Sequence, residues 1–517
     1  MDNLKILWAD DEIELLRAHI MFLEQKSYNV TTVTNGIDAV DAVKENFFDI
    51  IFLDENMPGL SGLETLEKIK RINPAVPVVM ITKSETEDIM EDAIGMNISD
   101  YLIKPVNPNQ ILLAIKKNVD KTRLVTEKTT SAYQTEFGRL SLEINSAGSF
   151  DDWKEIYKTL VYWDNKFSLA DETTMDEVLK MQKNEANQSF SKFIKRNYLD
   201  WFDKDNDEKP IMSHTVFKEK IIPLLRNDEK VFVMLIDNFR YDQWQTLLPY
   251  FSKYFNIEHE DITCSILPTA TAYARNAIFA GLMPAEIAKL YPNIWLNDEE
   301  EGNKNEHEEE LLVNQLKRNG LNKKVYYSKV FDNKQGEKIT QNIKTILQND
   351  IAVVVFNFID ILSHARTEMK MMRELAQNDS AYRSITRSWF EHSSMPQLLK
   401  AIAEEKAKLV ILTDHGTTLV ENPVKVVGDK NTSTNLRYKQ GKSLSYNPKE
   451  VFEIQKPEQA HLPKTNVSSR YIFALNNDFF AYPNNYNYYV KYYRNTYQHG
   501  GVSLEEMLLP FVILKAK

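Results

Sequence analysis

Cysteine is almost missing from this chain of 517 residues: Cys264 stands alone, so an intrachain disulfide is impossible and an oxidising compartment is not indicated. Its setting, Asp261-Ile-Thr-Cys-Ser-Ile-Leu267, suits a small buried hydrophobe better than a reactive thiol. Long apolar runs are missing too. None approaches the roughly 20 residues that a membrane helix requires. The start, Met1 to Asp10, turns acidic after a short apolar stretch and lacks the layout of a signal peptide. Positive charge is not in excess. The 63 Lys plus Arg against 74 Asp plus Glu give a formal net charge of −11, which argues against a bulk electrostatic grip on duplex DNA but leaves room for a local basic groove. No helix-turn-helix layout with a basic reading face occurs, so reading of duplex DNA is not expected. What remains is a soluble, cytoplasmic α/β chain, long enough for two or three domains with sizeable cores.

Residues 1–121 alternate short apolar runs with amphipathic segments. Leu4–Trp8, Val30–Val33, Ile50–Leu53, Val76–Ile81 and Tyr101–Ile103 read as strands, and Ile13–Gln25 and Leu63–Ile72 carry apolar residues at helical spacing. Repeated βα units on a parallel sheet follow, with ligands expected at the carboxyl ends of the strands. Those ends carry Asp10, Asp11, Asp54, Thr82 and Lys104-Pro105. Phosphoryl transfer to a carboxylate needs an acceptor, a divalent cation and a fixed positive charge. Asp54 would be the acceptor, Asp10 and Asp11 the Mg²⁺ site, and Lys104 the cation. The segment Asp54-Glu-Asn-Met-Pro-Gly-Leu-Ser-Gly62, with Asp10-Asp11, Thr82, Tyr101 and Lys104-Pro105, resembles the signature of a flavodoxin-like response-regulator receiver. The resemblance implies phosphorylation of Asp54 by a sensor histidine kinase. It also implies Mg²⁺ on Asp11, Asp54 and the carbonyl of Asn56 with Asp10 beside them, and a Thr82/Tyr101 switch.

Residues 122–208 differ in texture. Glycine and Val/Ile runs become scarce, and Trp153, Ile156, Tyr157, Leu160, Val161 and Trp163 recur at helical spacing, as do the apolar residues of Val119–Leu142 and Met175–Asp200. A small helical bundle joining input to output is expected, closed by the polar stretch Asp203–Pro210.

In residues 209–517 strands return, and several end in metal-ligand residues. Val231–Ile236 delivers Asp237; Ser265–Thr271 runs into a helix start at Thr271, where free N–H groups favour an anion. Ala352–Phe358 delivers Asp360, with His364 four residues on, and Leu409–Thr413 delivers Asp414-His415-Gly416; His499-Gly-Gly comes last. Three aspartates and three histidines suit a two-zinc site. Paired metals about 4 Å apart hold both oxygens of a phosphoryl transfer.

The set Asp237, Thr271, Asp360-x₃-His364, Asp414-His415-Gly416 and His499-Gly-Gly-x-Ser-x-Glu-Glu resembles the alkaline phosphatase superfamily over about residues 211–517. Fused to a receiver, it resembles the PorX-like, PglZ-domain response regulators of Bacteroidetes with type IX secretion. The resemblance implies that Asp360, His364 and His499 hold one zinc. Asp237, Asp414, His415 and the Thr271 hydroxyl would face the other. Thr271 would be the nucleophile, forming a phospho-threonine that water then hydrolyses. Threonine at this place resembles the nucleotide phosphodiesterase branch. Arg275 and Asn276, one turn past Thr271, are candidates for touching the phosphate, with a surface arginine and an ordinary helix residue as the alternatives.

His19, His214, His259, His307, His392 and His461 lack the strand-end context and are read as surface or core residues. The acidic run Asp298–Glu310 is expected to be a solvated insertion. Arg437–Lys442 and the tyrosine-rich Tyr482–Tyr497 are cations beside aromatics, suited to an oligonucleotide or to plain loop and core roles. Two functions survive. One is a phosphorylation-controlled zinc phosphodiesterase for nucleotide or short oligonucleotide signals, dimeric when phosphorylated. The other is a regulatory binding protein with a structural metal site, acting through a sigma factor or secretion components.

Overall fold

The computed structural model describes residues 4–74, 76–83, 98–170, 173–203, 206, 208–428 and 432–517. They fall into two compact units, residues 1–132 and 133–517. Among the described residues no helix is long and apolar enough to cross a membrane.

The apolar runs of the first unit become five parallel strands: β1 (Lys5–Ala9), β2 (Asn29–Val33), β3 (Ile50–Asp54), β4 (Val78–Thr82) and β5 (Asp100–Ile103). Their order is β2-β1-β3-β4-β5. Side chains alternate between two cores: Leu7, Ala9, Ile51, Leu53, Val78 and Met80 on one face, and Ile6, Trp8, Ile50, Phe52, Val79 and Ile81 on the other. Burial on both faces explains why β1, β3 and β4 read as continuous apolar runs. The strand order reverses between β1 and β3, which opens a crevice at their carboxyl ends. After β3 the chain turns tightly into the helix Gly62–Ile72, where Ser61 and Glu64 form a reciprocal capping box. A Cβ on Gly62 would lie 2.6 Å from the Asp54 carbonyl oxygen, so this close return requires glycine.

The second unit opens with the end of the helix Lys121–Ser146, followed by Phe150–Ala170 and Thr173–Asn197. The helical spacing of the Val119–Leu142 stretch is realised in backbone, while the side chains of 120–129 lie outside the described residues, as do residues 204, 205 and 207 of the polar stretch. Trp153, Ile156, Tyr157, Leu160, Val161 and Trp163 are buried as the spacing predicts, but not in a separate bundle. They share one core with the sheet that follows. Polar contacts lock the joint: Asn187 accepts from the Leu504 N–H at 2.8 Å and donates to Glu505 at 3.1 Å, and the Tyr198 hydroxyl accepts from the Leu267 N–H at 2.8 Å.

Strands β6 (Val231–Ile236), β7 (Phe255–Cys264), β8 (Val325–Val330), β9 (Ile351–Phe356) and β10 (Lys408–Leu412) form most of a central sheet. Short strands follow: β11 (Thr418–Val420), β12 (Asn422–Lys425), β13 (Tyr438–Gly441), β14 (Val451–Ile454), β15 (Arg470–Ala474), β16 (Asp478–Ala481) and β17 (Thr496–Gln498). Strand β18 (Leu508–Ala516) returns to complete the sheet, in the order β7-β18-β10-β6-β9-β8. Strands β10, β6, β9 and β8 are mutually parallel, and β18 runs antiparallel to β10 and β7. The carboxyl ends of β6, β9 and β10 therefore point the same way, and the loops and helix turn leaving them carry Asp237, Asp360 and Asp414.

Candidate metal and phosphoryl-transfer sites

In the first unit the carboxylates of Asp10, Asp11 and Asp54 have oxygens within 4.8 Å of one another. The Lys104 ammonium lies 2.8 Å from Asp10 and 3.0 Å from Asp54. Asp10, Asp54 and Thr82 are buried, Asp11 and Asn56 are exposed, and Tyr101 is half-buried on β5. Burial raises the Asp54 carboxyl above its ordinary range, and the charges of Asp10 and Asp11 push the same way against the pull of Lys104. Three acids against one ammonium leave a negative crevice that fits a divalent cation.

In the second unit the six ligand candidates assort into two groups of three, each with ligand atoms within 4.8 Å: Asp360, His364 and His499, and Asp237, Asp414 and His415. Asp360 and His364 sit four residues apart on the helix Phe358–Glu368, so both project from one face. Asp414 and His415 follow β10 where the chain leaves the sheet. A Cβ on Gly416 would lie 2.0 Å from the Glu505 carbonyl oxygen; the glycine is demanded by this close approach. Thr271 is the first residue of the helix Thr271–Ala280.

The imidazoles are oriented from behind. His415 Nδ1 lies 3.0 Å from the Gly416 carbonyl and His499 Nδ1 lies 3.1 Å from the Thr269 carbonyl. A carbonyl only accepts, so each Nδ1 carries the hydrogen and each Nε2 presents its lone pair to the carboxylates. The two rings stack with centroids 4.1 Å apart. Burial depresses both histidines, His499 well below the usual range, which keeps them neutral and able to ligate. The acids respond oppositely: burial raises Asp360 to about 6 and Asp414 well above the carboxylate range, with Asp237 adding to both. Asp237 Oδ1 and Asp414 Oδ2 are buried without a hydrogen-bond donor. Such oxygens beside neutral imidazoles fit a bound cation.

Thr271 Oγ1 lies 3.0 Å from His415 Nε2 and donates to it. Two ligands of one tetrahedral zinc, each 2.0–2.1 Å from it, stand about 3.3 Å apart, close to this separation.

Arg275 is neither at the surface nor turned to a free phosphate position. It is buried and spent on carboxylates, with Nη1 2.5 Å from Asp237 and Nε 2.6 Å from Glu308. Asn276 donates to the carbonyls of Ala272 and Lys304 at 2.9 and 2.8 Å and accepts from Asn305 at 3.2 Å. The acidic run Asp298–Glu310 is correspondingly not all solvated: Glu308 is fully buried between Arg275 and Lys329, and Asp298 accepts from the Tyr438 hydroxyl at 2.9 Å. Arg437 is fully buried too, paired with Glu506 at 2.5 Å and donating to the carbonyls of Leu475, Asn476 and Val502. Its role is to brace the turn after His499, whose Gly501 N–H also reaches Glu506 at 2.9 Å. Lys439, buried on β13, donates to the Ser433 carbonyl. Neither cation is presented to an oligonucleotide.

Asn238 was not singled out by the sequence, yet it ties the two groups together. In the left-handed region at φ +62°, its N–H points at Asp414 Oδ1 (3.3 Å) and its side-chain amide reaches Asp360 (3.3 Å) and Ser363 (3.1 Å). The one available signal is an asparagine directly after a strand-end aspartate, since asparagine tolerates this backbone region. None of the six leftover histidines joins a metal-ligating group among the described residues.

Comparison with known proteins places three family models along the chain: the response regulator receiver domain over residues 6–116, the PorX response regulator linker domain over 123–202, and the BREX system PglZ alkaline phosphatase-like domain over 216–514. Curated relatives match at the N-terminal end. The transcriptional regulatory protein ZraR of Escherichia coli O157:H7 is 31% identical over 137 residues, 26% of this chain and 31% of that protein. ResD of Bacillus subtilis is 28% identical over 182 residues, 35% of this chain and 75% of its own. The chain thus spans about a third of the length of the ZraR proteins it matches. Among solved structures, a CheY-like receiver domain protein from Methanospirillum hungatei is 26% identical, covering 23% of this chain and 96% of that one, with a TM-score of 0.23. A receiver domain protein from Clostridium thermocellum is 30% identical over 23% of this chain and 98% of its own, with a TM-score of 0.22. The PglZ model spans more than half of the residues, and the chain belongs to the PglZ alkaline phosphatase-like family, carried behind the receiver and linker of a PorX-like response regulator.

Proposed function

We propose that this response regulator has a zinc-dependent phosphodiesterase as its output, acting on nucleotide or oligonucleotide signals in the cytoplasm. Asp54 is phosphorylated by a sensor histidine kinase, with Mg²⁺ in the Asp10, Asp11 and Asp54 crevice, and the output feeds the control of type IX secretion. The observation that carries the reading is the assortment of six ligands into two groups of three, with the Thr271 hydroxyl 3.0 Å from His415 of one group.

Bound zinc would supply Lewis-acid stabilisation of the negative charge that develops on phosphoryl and threonine oxygens. The remaining work falls to the chain. Thr271 stands at a helix N-terminus, where the dipole favours an anionic phosphate. Its Oγ1 forms the new O–P bond as the bond to the leaving alcohol breaks, the threonine proton passing to that alcohol's oxygen; water then breaks the Thr271 O–P bond, releasing a phosphomonoester and restoring the hydroxyl. The carbonyls of Gly416 and Thr269 hold the two imidazoles in the required tautomer. Because Arg275 is committed to Asp237 and Glu308, it does not offer its charge to the extra negative oxygen of a monoester, which favours a diester. Output through protein contacts alone would leave Thr271 without a chemical task.

The test is metal analysis followed by hydrolysis of bis(4-nitrophenyl) phosphate. Thr271→Ala is expected to keep its zinc and lose about a thousandfold or more in kcat, whereas Thr271→Ser retains part of it. The reading fails if the zinc-loaded wild type cleaves neither that ester nor any di- or oligonucleotide.

A further inference from the structure

Five of the eight residues in the helix Tyr486–Tyr493 are tyrosines, and none of the eight is buried. One face, Tyr486, Val490 and Tyr493, packs on a small cluster of Val420, Phe479 and Ala481. That spacing turns Tyr488, Tyr489 and Tyr492 away from the cluster. Tyr488 is 65% exposed. Its ring lies nearly parallel to that of Tyr492, with centroids 6.2 Å apart and 15° between planes. The Arg373 guanidinium covers Tyr492 at 4.7 Å. Arg373 and Tyr488 thus both lie against Tyr492, and Tyr488 is the member that faces solvent.

The trio is tied to the elements that carry the metal group. Arg373 donates to the carbonyl of Thr367, and the Thr367 hydroxyl accepts from Gln498 at 3.2 Å. Thr367 is one turn beyond His364 on the helix Phe358–Glu368, which brings their Cβ atoms within about 5–6 Å. Gln498 directly precedes His499. Lys491, exposed on the tyrosine helix, adds a positive charge to the same surface. Large aromatic faces held at the surface beside cations are the elements from which single-stranded nucleic acid sites are built, since every base has a face to stack.

We propose that Tyr488 and Tyr492 form a base-stacking subsite, on which a nucleobase of the strand cut at Thr271 is held. This rests on the phosphodiesterase reading and narrows it: the substrate is single-stranded oligonucleotide, recognised by its bases as well as its backbone. The subsite explains why an exposed helix carries tyrosines where a solvated helix would carry charges.

The experiment measures binding of fluorescein-labelled tetra-adenylate by anisotropy. It uses the full-length, zinc-loaded Thr271→Ala protein, with and without Tyr488→Ala and Tyr492→Ala, and an abasic oligomer of equal length as control. The alanine pair is expected to weaken tetra-adenylate binding about tenfold or more and to leave abasic binding within about twofold. Tyr488→Phe with Tyr492→Phe is expected to bind like the parent. Equal binding by the alanine pair, an equal loss for the abasic oligomer, an equal loss in the phenylalanine pair, or no binding by the parent would each overturn the subsite. Hydrolysis of bis(4-nitrophenyl) phosphate by the unsubstituted protein separates the two readings. A protein that cleaves the ester but does not bind tetra-adenylate loses the subsite and keeps the hydrolase. One that binds through Tyr488 and Tyr492 without cleaving any diester loses the hydrolase and keeps the subsite.

Discussion

Asp379 accepts from Arg240 at 2.8 Å and from Lys183 at 2.9 Å, joining the helix Thr173–Asn197 to the loop that begins at Asp237. The same carboxylate accepts from the Tyr497 hydroxyl at 2.9 Å, two residues before His499. One side chain thus touches the linker and both flanks of the metal groups. Burial raises the Asp379 carboxyl, but Arg240 and Lys183 outweigh it and hold the group well below its ordinary range. Its stabilisation is present above the unfolded pKa of about 3.9 and is lost only as pH falls below that. Asp379→Asn leaves Arg240 to Asp242 and Lys183 to Asp164, and Lys183→Ala leaves Asp379 to Arg240 and Tyr497, so each removes charged hydrogen bonds without orphaning a charge and is expected to cost about 1.5–3 kcal/mol. Urea denaturation of the full chain at pH 7 measures the loss.

His214 supplies a pH dependence in a different window. Burial, with His461 and Lys209 adding, lowers it to about 4 from an ordinary 6.5. The unfolded chain therefore takes up the proton first. Stability is full above pH 6.5 and falls between 6.5 and 4, by about 3 kcal/mol at most. Comparing urea midpoints at pH 7.5 and 4.5 should show a smaller difference for His214→Gln than for the wild type.

Arg275 acts as an internal counter-ion for Asp237 and Glu308. Arg275→Gln is expected to lower the melting temperature of the metal-free protein, since removing one partner of a buried pair costs about 3–5 kcal/mol. Zinc would replace the missing positive charge, so the rise in Tm on adding zinc should be larger in Arg275→Gln than in the wild type. Arg275→Lys should restore little, because an ammonium cannot present two donors in a fixed fork. Melts with and without zinc decide; an equal zinc-induced rise would count against the counter-ion role.

Phosphorylation of Asp54 is expected to promote a homodimer. Sedimentation with Mg²⁺ and beryllium fluoride, a phosphoryl mimic, should show a doubled mass that Asp54→Asn does not show. An unchanged mass in the wild type would argue against dimerisation.

Much of this architecture was legible in the chain. Strands such as Val231–Ile236 and Ile351–Phe356 are covered on both faces, so they appear as unbroken apolar runs whose ends show where a ligand crevice opens. The Asp360/His364 pair was visible because one helical turn fixes its geometry locally. The Arg275–Glu308 pair is not legible in the sequence, for the opposite reason. They meet across a separation of 33 residues, and only tertiary packing decides that a basic and an acidic residue in polar-looking segments become a buried pair. Arg437 and Glu506, 69 residues apart, illustrate the same limit. The linker helices were recognised by their 3.6-residue period, which records that a face is buried but not against what.

Strand β18 lies between β7 and β10, pairing with residues 255–264 on one side and 409–411 on the other. Synthesis runs from the N-terminus, so β7 waits for more than 240 residues before its partner exists. Until then β7 and the facing edge of β10 are open strands, able to pair with another chain. Assembly of the Asp414-His415 turn is thereby coupled to the synthesis of β18, because the segment that crowds Gly416, Leu504–Met507, leads directly into that strand. A ribosome stalled before β18 would expose an aggregation-prone half-sheet whose Asp414-His415 turn is not yet braced.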